Sequence, residues 1–196
     1  MTHHIGIFHN SRPFDRKQIP VMQVLATYYT PERVKEVLLP VIAQKGKEKL
    51  SLRALDWLVT NYSKKKNIVY TVKPADMPEK LVNVYTDYKT WLWKYRRSHF
   101  DPFRRRHRIT FEVDGTEYTT TVGQLNFMYW ASKYGVIKYA RDHLDAIERD
   151  HASVARTKKG AGKRKRRQLS VLQTGKVVVF GKSVTVSFNP GGREVE

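Results

Sequence analysis

The segment 91–108, WLWKYRRSHFDPFRRRHR, restricts the fold more than any other part of the chain. Its eighteen positions hold seven Lys or Arg, two His, five aromatic rings and one acid, Asp101. So much like charge on one short stretch is costly unless something outside it supplies negative charge. The rings point the other way, toward burial. Leu81, Tyr85, Tyr88, Leu92 and Tyr95 recur at three- and four-residue steps, which predicts an amphipathic helix over 80–97. Pro102 should end it, with FDPF as a turn. Trp91, Trp93, Tyr95, Phe100 and Phe103 are then expected mainly as core. Trp91 and Trp93, two residues apart, cannot share one helix face. One of them should sit exposed or at an edge, where it can stack on a base or carry an arginine by a cation–π contact.

The cations divide into groups. Lys94, Arg96 and Arg97 lie off the apolar stripe. Arg104, Arg105, Arg106 and Arg108 follow the turn and lead into a strand. In an extended segment alternate side chains diverge, so Arg104 should pair with Arg106, and Arg105 with Arg108. All seven are candidates for contacting phosphate or an acidic partner, arginine being suited to forked contacts. Farther along, TKKGAGKRKRR (157–167) adds Lys158, Lys159, Lys163, Arg164, Lys165, Arg166 and Arg167, with nothing to bury. It reads as a flexible basic loop that is a nucleic-acid arm, a nuclear localisation signal or a strap for an acidic surface. Across 196 residues, 37 Lys plus Arg against 18 Asp plus Glu leave a net charge of +19. That imbalance speaks to partners rather than fold: nucleic acid first, then an anionic membrane surface or an acidic protein.

With 40% hydrophobic residues the chain can still build a core. Residues 1–24, with Pro13 and Pro20, read as an extended N-terminal arm. Thr30-Pro31-Glu32 is a helix start, and Pro40 kinks or stops the helix that follows. Ser51 opens a second helix, LRALDWLVTNYSKKK, whose Lys64, Lys65 and Lys66 complement its C-terminal dipole. IVYTV (68–72) is a short strand. RITFEV-DG-TEYTTTV (108–122) is a hairpin, because Asp-Gly supplies the positive φ angles of a primed turn. Residues 124–156 look helical, with Gly135 as a break. KVVVF-GK-SVTVSF (176–188) is a second hairpin, and the end of the chain a disordered tail. The expected class is α+β: a helical middle with two hairpins, a core domain over 25–156, the basic loop over 157–167, and a C-terminal hairpin and tail over 168–196.

Three stretches, LRALDWLVTNYSKKKNIVY (52–70), DYKTWLWKYRRSHFDPFRRR (87–106) and TTTVGQLNFMYW (119–130), resemble a family of uncharacterised proteins of nucleocytoplasmic large DNA viruses, in the same order and at similar spacing. The resemblance spans about residues 50–150. It implies a setting, a large DNA virus and its particle, and carries no catalytic residues with it.

Catalytic and metal chemistry find little purchase. The chain has no cysteine, which removes disulfides, thiolate catalysis and Cys-based zinc sites. It has no glycine-rich phosphate loop, nucleophile elbow or HExxH. Asp142, Asp145, Glu148 and Asp150, with His143 and His151, invite a metal or nuclease reading, but no second ligand-bearing segment accompanies them. Pairing with the protein's own surplus arginine is the expected role. His3, His4 and His9 suit adventitious metal only. No metal or cofactor is therefore expected. The N-terminus lacks the apolar stretch of a signal peptide, and no run reaches the roughly 18 apolar residues of a spanning helix. The expectation is a soluble, non-secreted, non-enzymatic binding protein, virion-associated or in the host cytoplasm or nucleus. Its partner would be nucleic acid, double-stranded DNA foremost, bound without sequence preference. The alternative is a minor capsid protein strapped to acidic virion proteins or an inner membrane.

Overall fold

The computed structural model describes residues 3–10, 12–42, 50–74, 78–104, 107–160, 179–180 and 183–184. The chain divides into two units after Ala155. The first holds the core and has the expected α+β character.

Its main sheet is antiparallel, in the order β1 (His3–Ile5), β2 (Phe8–Asn10), β5 (Arg108–Val113), β6 (Thr116–Thr121). The central hairpin joins β5 (Arg108–Val113) to β6 (Thr116–Thr121). Asp114 (φ 52°) and Gly115 (φ 72°) make the tight turn between them, as the Asp-Gly pair predicts. Ile109, Phe111 and Val113 face inward while Arg108 and Glu112 face water, the period-two pattern of a sheet covered on one face.

The segment expected as an extended arm is instead built into this sheet. β1 (His3–Ile5) and β2 (Phe8–Asn10) form a hairpin, and β2 pairs with β5 in the register Phe8–Phe111. Those two rings meet edge to face at 5.7 Å. Each strand is three residues long, too short to show periodicity, and what ties the hairpin to the sheet is the pairing of β2 with a strand about a hundred residues away. His4 and His9 are cross-strand neighbours here, their rings edge-on at 4.5 Å. Helix α1 (Gln18–Tyr28) then buries Met22 and Leu25, and Tyr29 behind it donates its hydroxyl hydrogen to the Leu125 carbonyl at 2.8 Å.

Thr30 caps the next helix by accepting from the Arg33 N–H, with Pro31 at its first position. The helix runs through α2 (Pro31–Arg33), a π turn over Val34–Leu38 and α3 (Leu39–Ile42), so Pro40 does not stop it. The wider turn just before it absorbs the residue that lacks an N–H. Ser51 caps α4 (Leu52–Trp57), which continues through a second π turn (Leu58–Tyr62) into α5 (Ser63–Lys66).

β3 (Val69–Val72) pairs with β4 (Lys80–Asn83), so 80–83 are strand where the periodicity predicted helix. Leu81, counted in the apolar stripe, is 67% exposed. The helix begins one step later for a local reason. Asn83 accepts from the Thr86 N–H, while its own N–H donates to the Asp87 carboxylate, a reciprocal cap. From there α6 runs Val84–Phe100. α7 (Val122–Lys133) is the central helix, burying Leu125, Phe127, Met128 and Trp130 against α6 and α1. Gly135 (φ 71°) breaks it from α8 (Val136–Asp142), as expected, and α9 spans Leu144–Gly160. No helix among the described residues is long and apolar enough to cross a membrane.

α9 takes in residues 157–160, so the start of the expected basic loop is helical. The remainder of that loop, 161–167, lies outside the described residues. In the second unit, β7 (Val179–Phe180) pairs antiparallel with β8 (Ser183–Val184), the centre of the second hairpin expected over 176–188. The expected tail lies outside the described residues.

Candidate nucleic-acid interface

The inward face of α6 carries Val84, Tyr88 and Tyr95, and Trp91 packs half-buried beside them. Trp91 stacks on Tyr95 at 5.3 Å and meets Tyr134 edge to face at 5.9 Å. Phe100 is fully buried among Phe127 and Trp130, each 5.8 Å away. Of the five rings in 91–108, three are therefore committed to packing. Phe103 is partly exposed, and Trp93 is the exception at 84% exposed. It is the exposed member of the tryptophan pair.

The end of α6 is held in an unusual way. Arg96 has φ 59° and ψ 168°, a conformation natural to glycine, so it interrupts the helix one turn before Phe100. Three contacts impose it. Phe100 is drawn into the core, and the buried Asn126 side chain of α7 donates to the His99 carbonyl at 2.9 Å. Gly123 lets α7 approach so closely that a Cβ there would stand 2.8 Å from the Asp101 carbonyl oxygen. Beyond the break Asp101 folds the chain back, its carboxylate accepting from the Phe103 N–H and its carbonyl from the Arg104 N–H. Arg96 and Arg97 thereby remain on the surface beside Trp93.

Two shallow grooves flank this point. One, of about 700 Å³, is lined by Lys89, Leu92, Trp93, Lys94, Arg96 and Arg97. The other, of about 720 Å³, places Arg16 and Lys17 opposite Lys94, Tyr95, Arg96, Ser98 and His99. Lys94 and Arg96 border both, so the cations form one continuous track. Lys94 also lies over the rings of Trp91 and Tyr95, at 5.6 and 5.2 Å. Neither groove is lined by an acid, and among the described residues none of these cations forms an ion pair.

The second arginine group behaves differently. Arg104 and Arg108 line a smaller groove of about 330 Å³ with Thr119, Thr120, Thr121 and Gln124. The pairing of Arg104 with Arg106 assumed an extended chain. That pairing, and the one of Arg105 with Arg108, lie outside the described residues; among the described ones the Asp101 turn and the left-handed His107 (φ 54°) accompany Arg104 and Arg108 on one groove. Arg105 and Arg106 lie outside the described residues, as do Lys163, Arg164, Lys165, Arg166 and Arg167. Lys158 and Lys159 fall in the last turns of α9.

Two of the four acids of α8 and α9, Asp142 and Asp150, pair locally with lysines rather than with the arginines expected. Asp142 bonds Lys138 at 2.8 Å, and that hydrogen bond holds its carboxyl below the usual range. Asp150 takes Lys65 and the Trp57 indole N–H, and is likewise lowered, chiefly by Lys65. Among the described residues no three His, Asp or Glu gather where they could hold a metal ion. Asp56 is different: burial first, then the Asp101 charge, pushes its carboxyl up to about 6.

The sequence places Lys89 off the apolar stripe with Lys94, Arg96 and Arg97 but does not mark it, Arg16 or Lys17 as a contact. Lys89 was accessible, four residues before Trp93 and eight before Arg97. Arg16 and Lys17 reach the track only through the long-range pairing that seats the N-terminal segment.

A family described as of unknown function, DUF7197, matches residues 9–175. An uncharacterised protein of Acanthamoeba polyphaga mimivirus is 31% identical over 165 residues, covering 81% of this chain. The match covers 62% of that relative's length. No solved structure matches the chain.

Proposed function

The chain belongs to the family of unknown function DUF7197, with a relative in a large DNA virus, and on that premise we propose that it is a non-enzymatic protein that binds nucleic acid through its backbone phosphates. One observation carries the reading: a continuous track of Lys89, Lys94, Arg96, Arg97, Arg16 and Lys17 that forms no ion pair among the described residues, in a protein that pairs other lysines with acids elsewhere. Cations left unneutralised by their own fold are completed by a polyanion, and each phosphate contact releases condensed counterions. Arg104 and Arg108 add a second contact point, and the basic residues from Lys158 to Arg167 a third. Base readout forms no part of the proposal, because phosphate contacts carry no sequence information. The engagement of Asp142 by Lys138 and of Asp150 by Lys65 supports a non-catalytic role; metal-dependent DNA cleavage abolished by Asp145→Ala would overturn it. The reading implies residence where viral nucleic acid is packaged or replicated, which fractionated virions would test.

Fluorescence anisotropy with unrelated sequences at rising salt checks the binding itself. Expected are similar affinities for all sequences and a steep fall with salt. An absence of association at low salt, with capture instead by acidic shell proteins, would transfer the basic segments to a capsid role.

A further inference from the structure

Trp93 is the feature phosphate binding does not explain. Its neighbour Trp91 packs into the fold, yet Trp93 stands in water, 84% exposed, in a groove whose other lining is mainly Lys89, Lys94, Arg96 and Arg97. A contact that served only to neutralise phosphate would have no use for an indole there. A protein-docking hot spot would surround it with other apolar groups and deplete charge. Here the half-buried Leu92 is the one aliphatic neighbour in the groove.

Resting on the nucleic-acid reading above, we propose that Trp93 is a base-stacking platform and that the preferred ligand is a single strand. Lys89 stands one helical turn before Trp93, about 6 Å along the helix, and Arg97, just past the break at Arg96, lines the same groove, a cation–ring–cation order. A base laid on the indole leaves its two flanking phosphates toward Lys89 on one side and Arg97 on the other. The groove shared through Lys94 and Arg96 carries the strand on toward Arg16 and Lys17. An aromatic ring set in a basic groove is the general design for single strands, since every base has a π face. A duplex hides those faces in its own stack, so a surface indole gains nothing from it without unpairing a base. The strained Arg96 fits this use: the break in α6 keeps both Arg96 and Arg97 beside the ring.

The test compares an oligothymidylate, an abasic strand of equal length, a duplex of equal length and poly-glutamate, with the full chain and with Trp93→Ala and Trp93→Phe. The intact protein should bind oligothymidylate most tightly. Trp93→Ala should weaken that binding roughly 5- to 150-fold, the range for losing one stacked base. It should leave the abasic strand, the duplex and the melting temperature unchanged, while Trp93→Phe keeps most of the affinity. Equal affinity for the oligothymidylate, the abasic strand and the duplex, with Trp93→Ala silent, would overturn the stacking proposal and leave phosphate binding standing. Failure to bind any nucleic acid would overturn both, and poly-glutamate bound as tightly as oligothymidylate would make the face a protein-docking surface instead.

Discussion

Two basic helical regions of this molecule treat charge in opposite ways. Along α5, α8 and α9, Lys65 meets Asp150 and Lys138 meets Asp142. Around the break in α6, Lys89, Lys94, Arg96 and Arg97 meet no acid among the described residues, and an exposed tryptophan stands among them. The first region closes its own electrostatics; the second leaves them open. Net charge alone cannot make that distinction, because +19 is the sum over both. Where the surplus is left, and what is left with it, is the informative quantity.

Removing the open set together should have the largest effect. Replacing Lys89, Lys94, Arg96 and Arg97 by Ala should cost roughly 100-fold or more in affinity and reduce the salt slope by about 3, near 0.7 per lost contact to a single strand. The matched control, Lys65→Ala with Lys138→Ala, should leave binding nearly unchanged. Equal losses in both, measured by anisotropy, would erase the contrast between the regions.

The next effect concerns what holds the open region in place. Gly123→Ala puts a methyl group against the Asp101 backbone and should cost about 1–3 kcal/mol in urea unfolding. Gly115→Ala, in open space but at φ 72°, should cost about 1 kcal/mol from backbone strain alone. A smaller loss at Gly123 than at Gly115 would deny the close approach of α7. Arg96→Gly sharpens the comparison further: relief of the strained backbone should raise stability by about 1 kcal/mol while binding weakens. Stability and binding moving down together would mean that the conformation of Arg96 is not strained.

Asp56 gives a pH signature of similar or smaller size. Its carboxyl holds a proton more readily in the fold than in the unfolded chain, so ionisation there opposes folding. Its contribution is most favourable below about pH 4 and is lost as pH rises through about 6. Asp56→Asn should therefore be about 1 kcal/mol more stable than the parent at neutral pH, after allowing for partial solvent screening, and equal to it near pH 4. Thermal melts at the two pH values check this. Smallest of all, Lys65→Ala should cost about 0.5 kcal/mol, the worth of an ion pair whose lysine is exposed and whose acid keeps the Trp57 indole N–H.

What could be read from the chain in advance follows the range of the interactions. The Asp-Gly hairpin, the Thr30 and Ser51 caps and the Gly135 break depend on neighbours a few residues away, and all appear as the local chemistry dictates. So does the exclusion of Trp91 and Trp93 from a common face. The N-terminal strands and the 80–83 strand depend on distant partners or on turns, and local pattern misassigned both. The candidate site divides along the same line. Arg96 and Arg97 announce themselves by composition, whereas Arg16 and Lys17 join them only because Phe8 pairs with Phe111.

Photocrosslinking tests the central claim most directly. The full chain would be irradiated with a thiothymidine-bearing single strand and the adducts mapped by mass spectrometry. The account predicts adducts on Trp93 and the surrounding residues 89–97, with none on 138–150. Adducts confined to other segments, or none at low salt, would contradict it.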